Sequence, residues 1–513
     1  MKSNFILHSI FAAFLLFSAA ASAQNVSGTL VDNSTQKTIP FATVQLGENY
    51  GVVTNQEGNF SINTAGFSEK DSLIFSSMGY DRKAIALKDF EKGTVYLTKN
   101  VEELGEVLLL DEKLTALEVM EKVNEKKKEN YGNSFTKFTV FHRSQNNNTF
   151  LDFDFEIRKA EYFKKKTLRK FNKTIDSLAE TIRGVPTSFY NAYLTEIVVN
   201  KADSVKINLE KATELINKEK TSSLNALTED ILDGILENLK SANTFKVRTG
   251  IIPIADSLDV SEGLSEEEDI DSLTTKSVGN ELEDLLGQSR LKTNNSTTIS
   301  IGGGGSGAGL NFDFINELDD YEYEIEDIST FNGELIYIIS FVPDSGLFSG
   351  NGKYTGKLYI SADSFAVVKA DYQLAEGKHG TKFNMKFLLG VKYEEKARSG
   401  IIIYEKNKKN KYTPKYIRVS GKRYGYFERY FVLKENDERT DRMKLKFEVM
   451  IEFDNGYKNE WLFVDSNVIS EDEFANFKEN KGVPIQEISE YNPEIWKEYN
   501  ILAPTEAIRE YEF

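Results

Sequence analysis

The sequence predicts a mostly β protein with an α insertion (α+β), in which a small β-sandwich precedes a larger antiparallel sheet. Three observations predict it. Short apolar runs separated by turn residues crowd residues 25–110. Apolar residues then alternate with charged ones at Leu151–Arg158, and nearly so again at Leu445–Phe453, which is the period of a strand. Between these two blocks lies a stretch with helical spacing that ends in a Gly-rich run.

Composition narrows the function classes. The chain has 513 residues, no Cys, 3 His, 63 Lys+Arg and 80 Asp+Glu, for a net charge of -17. Such a length normally divides into several domains. Without Cys there is no disulfide framework, thiolate metal site, thiol nucleophile or cysteine-linked lipid anchor. Three His argue against zinc chemistry, and the acidic balance argues against a nucleic-acid partner.

Residues 1–23 read as a signal peptide. Lys2 is followed by the apolar run Ile10–Phe17 and by Ala21-Ser22-Ala23, a small-residue cleavage pattern. Export to the periplasm, or association with the outer membrane, is therefore expected. No later run is apolar enough for a transmembrane helix.

Residues 24–112 carry the sandwich runs Val26–Val31, Ala42–Leu46, Gly51–Thr54, Phe60–Ile62, Leu73–Ser76, Thr94–Leu97 and Val107–Leu110. Residues 113–170 begin as a helix, with Leu114, Leu117, Met120 and Val123 on one stripe and Thr115-x-x-Glu118 as a capping box. The first strands of the larger sheet follow, headed by Phe138 and Val140. Residues 171–310 read as a helical insertion and linker. The helical reading spans 174–245, on the stripe Leu227, Ile231, Leu232, Ile235, Leu236 and Leu239. The acidic run Glu266–Asp269 and Gly302–Gly305 follow. Residues 311–470 supply further strands, among them the alternating run Phe383–Val391. Residues 471–513 form a docked tail containing Trp496 and Pro504. Three separate domains are the alternative to one interrupted sheet. A lone strand pair at 134–170 is marginal, which favours the interrupted sheet.

Two resemblances follow from these residues. Gly28–Asp32, Ile39–Val44, Thr54–Phe60, Ser77–Tyr80 and Leu104–Val107 resemble the carboxypeptidase-regulatory-like domain. That resemblance implies a transthyretin-like β-sandwich of Bacteroidetes envelope proteins, with no catalytic motif. Phe138–Arg143, Leu151–Ile157, Glu334–Phe341, Tyr354–Ile360 and Phe365–Tyr372 resemble the lipoprotein-sorting-protein-like half-barrel. This implies a curved antiparallel sheet around helices, whose apolar side holds acyl chains in transport members.

Candidate sites are few. Leu151, Phe153, Phe155, Ile157, Leu445, Phe447, Val449, Ile451 and Phe453 form a one-sided apolar face, the candidate for a lipid or other apolar ligand. Asp152, Asp154 and Glu156 share the other strand face and could pair as in a glycosidase, but alternation alone demands a solvated face there. His142 is in phase with Phe138 and Val140 and reads as packed; His379 reads as part of a hairpin turn. Gly302–Gly305 meets neither nucleotide-binding fingerprint, and Glu266–Asp271 lacks a calcium-loop spacing. No catalytic residue, metal ligand or cofactor is assigned. The expected function is a non-enzymatic envelope protein that binds an apolar ligand or acts in envelope assembly. An accessory scaffold of an outer-membrane complex is the alternative. An outer-membrane barrel ending at Phe513 and a carboxylate-dependent hydrolase are the remaining readings.

Overall fold

The computed structural model describes residues 25–48, 50–100, 114–131, 135–160, 164–200, 205–217, 231, 244–249, 252–258, 272–274, 278, 312–346, 351–436 and 444–511. The signal-peptide region, Val107–Leu110, the acidic run and the Gly-rich run lie outside these residues.

Seven short strands open the described chain: β1 (Asn25–Asp32), β2 (Thr43–Leu46), β3 (Tyr50–Val53), β4 (Asn59–Asn63), β5 (Ser72–Ser76), β6 (Lys83–Ala86) and β7 (Gly93–Leu97). They form two sheets, ordered β4-β1-β7 and β3-β2-β5-β6. Alternate residues of both meet in one core, with Leu30, Phe60 and Ile62 against Val44, Leu46 and Phe75. The turn Asn55–Gly58 is tied by the Asn55 side chain, which accepts from Glu57 N and Asn59 N. Gly58 there has φ +79°, where a side chain is strained.

Helix α1 (Ala116–Asn130) starts at Thr115, whose hydroxyl accepts from Glu118 N while the Glu118 carboxylate accepts from Thr115 N. Three very long strands follow from the alternating runs: β8 (Thr136–Ala160), β20 (Tyr412–Glu435) and β21 (Lys444–Val468). At 25 residues, β8 spans roughly 80 Å. It pairs antiparallel with β21 from Thr136↔Val468 to Ala160↔Leu445. The N-terminal and C-terminal strand blocks thus share one sheet.

That sheet also holds β9 (Pro186–Val199), β10 (Val205–Ile216), β11 (Phe245–Thr249), β12 (Ile252–Leu258), β13 (Ser272–Thr274), β14 (Tyr321–Phe331), β15 (Glu334–Pro343), β16 (Tyr354–Ser361), β17 (Val367–Leu374), β18 (Lys382–Met385), β19 (Val391–Lys406) and β22 (Gly482–Ile488). Its main path runs β13-β22-β10-β9-β8-β21-β20-β19-β17-β16-β15-β14. The curved sheet does not close into a barrel.

Three readings are corrected. Residues 174–245 are not continuously helical. Helix α2 (Lys165–Ile182) gives way to β9 and β10. Strand β9 packs Tyr193 and Ile197 into one core and Leu194 into another, so it is apolar on both faces and lacks the alternation that marks a half-exposed strand. Residues 383–391 are not one strand. A single helical turn, α4 (Lys386–Leu389), separates β18 from β19, and Gly390 ends it at φ +62°. It follows α3 (Asp313–Asn316) in chain order. Leu151 does not share a face with Phe153. A bulge leaves it without a partner in β21, because Asp152 opposes Glu452 while Phe150 opposes Phe453.

The large sheet has two different faces. On one, α1 packs Val119, Met120 and Val123 into a core with Tyr457, Trp461 and Phe463. Helix α2 packs Ile175, Ala179 and Ile182 on the same face, at the other end of the long strands. On the opposite face the N-terminal unit docks over Phe141, Tyr416, Leu462 and Val464. The tail, with α5 (Glu471–Asn476), β22 and α6 (Glu506–Arg509), runs along the sheet and buries Trp496, Leu502 and Ile508.

Candidate functional site

The helix-covered face carries the apolar candidates. Strand register brings both sequence runs together: Phe447 opposes Ile157, Val449 opposes Phe155, and Ile451 opposes Phe153. Phe153, Phe155, Ile157 and Leu445 are buried beneath α2. Phe447, Val449 and Ile451 are only half-buried. Leu151 lies off the face, 39% exposed in its bulge. Phe150 packs at that core instead. Phe453 stays on the face and its ring covers Gly425.

Strand β20 adds aromatic residues that sequence reasoning did not single out. Phe427 opposes Ile451 and Phe431 opposes Phe447. Their rings form a row: Phe427 to Phe431 at 6.4 Å, Phe431 to Phe447 at 5.1 Å, and Phe447 to Phe155 at 5.6 Å. Phe427 and Phe431 are half-buried. The row therefore begins under α2 and leaves that cover as it crosses the sheet.

The same face turns polar further along β20. Arg423 lies four residues from Phe427, roughly 13 Å along the strand. Its guanidinium stacks 3.9 Å from the centre of the Tyr457 ring. The Tyr457 hydroxyl donates to Glu395 Oε1 at 2.7 Å, and Arg398 Nη1 lies 3.8 Å from Glu395 Oε2. Glu395 and Arg398 are buried. Burial, and then the Glu395 charge, push the Tyr457 hydroxyl well above the ordinary tyrosine range. Burial pushes Tyr372 the same way. The Tyr372 ring occupies the space a Cβ at Gly400 would need. Arg398 Nε and Arg423 Nε are buried donors that make no hydrogen bond.

A cleft of about 570 Å³ opens mainly on the opposite face of the same strands, because Ser399, Ser420, Lys422 and Lys458 alternate with Arg398, Gly421, Arg423 and Tyr457. Lys378, Lys396, Arg398, Lys422 and Lys458 line it, against the single acidic residue Glu376. Ser399 and Ser420 are hydrogen-bonded at 3.0 Å on its floor. A concave, lysine-lined surface suits a phosphate or carboxylate. The helix-covered face is thus apolar at one end and carries the Arg423–Tyr457–Glu395–Arg398 cluster at the other.

The other candidates are structural in placement. Asp152 pairs with Arg183 at 3.0 Å, and Glu156 pairs with Arg158 at 3.3 Å, on the wetter face. His142 is buried between the rings of Tyr193 and Trp461, at 4.6 and 4.8 Å. His379 Nδ1 lies 3.1 Å from Glu394 Oε1. Among the described residues no three His, Asp or Glu are grouped as a metal site requires, and no helix is long and apolar enough to cross a membrane.

Residues 26–109 match the CarboxypepD_reg-like domain family. No curated protein matches the chain. Among solved structures, a DUF1329 family protein from Desulfovibrio piger aligns at 10% identity over 71% of this chain and 97% of its own, with a TM-score of 0.18. A protein of unknown function from Bacteroides fragilis aligns at 9% identity over 85% of this chain and 98% of its own, with a TM-score of 0.12. Likenesses at these TM-scores carry no argument about function.

Proposed function

We propose that the protein is a non-enzymatic, exported component of the cell envelope that holds an amphiphile. The acyl portion lies along Phe427, Phe431, Phe447, Val449 and Ile451, and the anionic headgroup sits at Arg423 and Arg398. The observation that carries this reading is the unequal cover of one apolar face. Phe155 and Leu445 are 1% exposed under α2, whereas the ring row beyond it is half-open. A core filled by its own helices would bury the whole row. The export signal read at residues 1–23 supports an envelope location. On this reading the N-terminal unit is a transthyretin-like sandwich, and the large sheet is a half-barrel around its ligand.

Native mass spectrometry of protein purified from membranes tests the reading. A lipid-sized adduct is expected, and a fluorescent fatty acid should compete for the same site. Phe431→Ala and Phe447→Ala are each expected to weaken that binding about tenfold, from the apolar area each ring contributes. Arg423→Gln should weaken an anionic amphiphile and spare a neutral one. Absence of both adduct and probe binding would overturn the proposal. Ligand-free protein that crosslinks to an outer-membrane partner would instead favour the scaffold role.

A further inference from the structure

The hairpin of β18, α4 and the start of β19 carries the two most exposed large apolar side chains among the described residues, with a third beside them. Phe387 is fully exposed, Leu388 is 72% exposed and Phe383 is 44% exposed. Residues 377–393 contain four lysines (Lys378, Lys382, Lys386 and Lys392), one histidine and no acidic residue. This lies in a chain whose net charge is -17. Lys382 and Lys392 share one carboxylate at the hairpin base, Glu394, at 3.3 and 3.4 Å. Cationic charge is therefore left over around the apolar tip.

The tip is braced against the sheet. Strand β18 pairs with β19 from Lys382↔Glu394 to Met385↔Val391. Glu428 N donates to Gly390 O at 2.8 Å, and a Cβ at Gly390 would collide with Glu428 O. The Lys386 ammonium sits 3.6 Å from the centre of the Tyr426 ring. The turn that presents Phe387 and Leu388 is thus fixed, and neither side chain has a core to enter.

We propose that this hairpin docks the protein on an anionic lipid surface. Phe387 and Leu388 enter the boundary between headgroups and acyl chains, while the lysines meet lipid phosphates. Charge complementarity selects this occupant. An acidic protein is repelled by an anionic bilayer everywhere except at a cationic patch, so the patch also sets the orientation of docking. The inference is independent of ligand binding on the aromatic row.

Vesicle co-sedimentation of the full chain tests it. Binding is expected to vesicles of equal parts phosphatidylcholine and phosphatidylglycerol, and to fall steeply with salt. The double variant Phe387→Ser/Leu388→Ser is expected to bind at least about tenfold more weakly, from the exposed apolar area it removes. Lys382→Gln/Lys386→Gln is expected to bind about 25-fold more weakly on anionic vesicles only, at about fivefold per lysine. All four residues lie at the surface of the hairpin, and unchanged circular dichroism and melting would confirm that the variants fold. Wild-type binding unaffected by either variant would overturn the proposal. So would failure of the wild type to bind anionic vesicles. A dimer that the Phe387/Leu388 variant abolishes, without vesicle binding, would assign the tip to a second copy of the chain instead.

Discussion

Glu460 lies where the long strands, the tail and the N-terminal unit meet. Its side chain is 4% exposed and accepts from Arg143 Nη2 at 3.0 Å and from the Tyr416 hydroxyl at 2.7 Å. Arg143 also donates to the carbonyls of Leu502 and Ala503 in the tail. Burial alone would raise the Glu460 pKa. Arg143, Lys458 and Tyr416 more than offset it, and the carboxyl titrates below its ordinary 4.5. The stability linked to this depressed carboxyl is present above the unfolded value and is lost as pH falls through the folded one. Glu460→Gln should therefore flatten the acid limb of a plot of unfolding free energy against pH. Arg143→Met leaves the buried carboxylate with only Lys458, 3.9 Å away, as its cation and should cost about 3 kcal/mol in urea unfolding at neutral pH. A second residue-scale contrast concerns glycine. A Cβ at Gly356 would lie 2.1 Å from the backbone oxygen of Asp371, whereas at Gly425 it meets the ring of Phe453. Gly356→Ala should destabilise the sheet by about 1–3 kcal/mol, because backbone cannot move aside as a ring can. Calorimetry of the two variants would separate these cases.

Helix α2 and the strands beneath it divide one apolar face into a filled part and an open part. Ile175 and Phe155 are fully inside that interface. Ile175→Ala should cost about 2–5 kcal/mol by denaturant unfolding. Phe431→Ala, in the half-open row, should cost clearly less stability while weakening ligand retention. If both variants lose equal stability, the row is ordinary core. Much of this element is legible in sequence. The alternation at Leu151–Arg158 and Leu445–Phe453 marks two half-exposed strands, and strict period sets which residues share a face. The bulge at Leu151 is not legible, because one extra residue in β8 changes the face without changing the composition. The same limit explains β9, whose apolar residues serve two cores at once.

At the scale of the whole molecule, the tail ties the N-terminal unit to the large sheet. Asn55 Nδ2 donates to the carbonyls of Ala503 and Pro504, and Asn63 N donates to Asn500 Oδ1 at 2.7 Å. Glu506 N donates to the Glu57 carboxylate at 2.9 Å. A chain ending at Tyr491 should let the two units melt separately in calorimetry, and should expose residues 26–97 to faster hydrogen exchange. A single unchanged transition would show that the direct contact of Phe41 with Tyr416, whose rings lie 5.5 Å apart, suffices.

The sequence by itself determined the predominance of strands, the capped start of α1, the domain-family segment near the N-terminus and the two-faced character of the long strands. Each depends on local spacing, and spacing is a property of the chain. Tertiary structure alone decided that Arg398 and Glu395 of β19, Arg423 of β20 and Tyr457 of β21 form one cluster. No fixed spacing links residues on three strands; only register does. It also decided how far α2 covers the aromatic row, and that Phe387 and Leu388 stand in water. A helical turn and a left-handed Gly390 there replace the continuous strand that alternation predicts, because the backbone of β20 packs against the glycine too closely for a side chain.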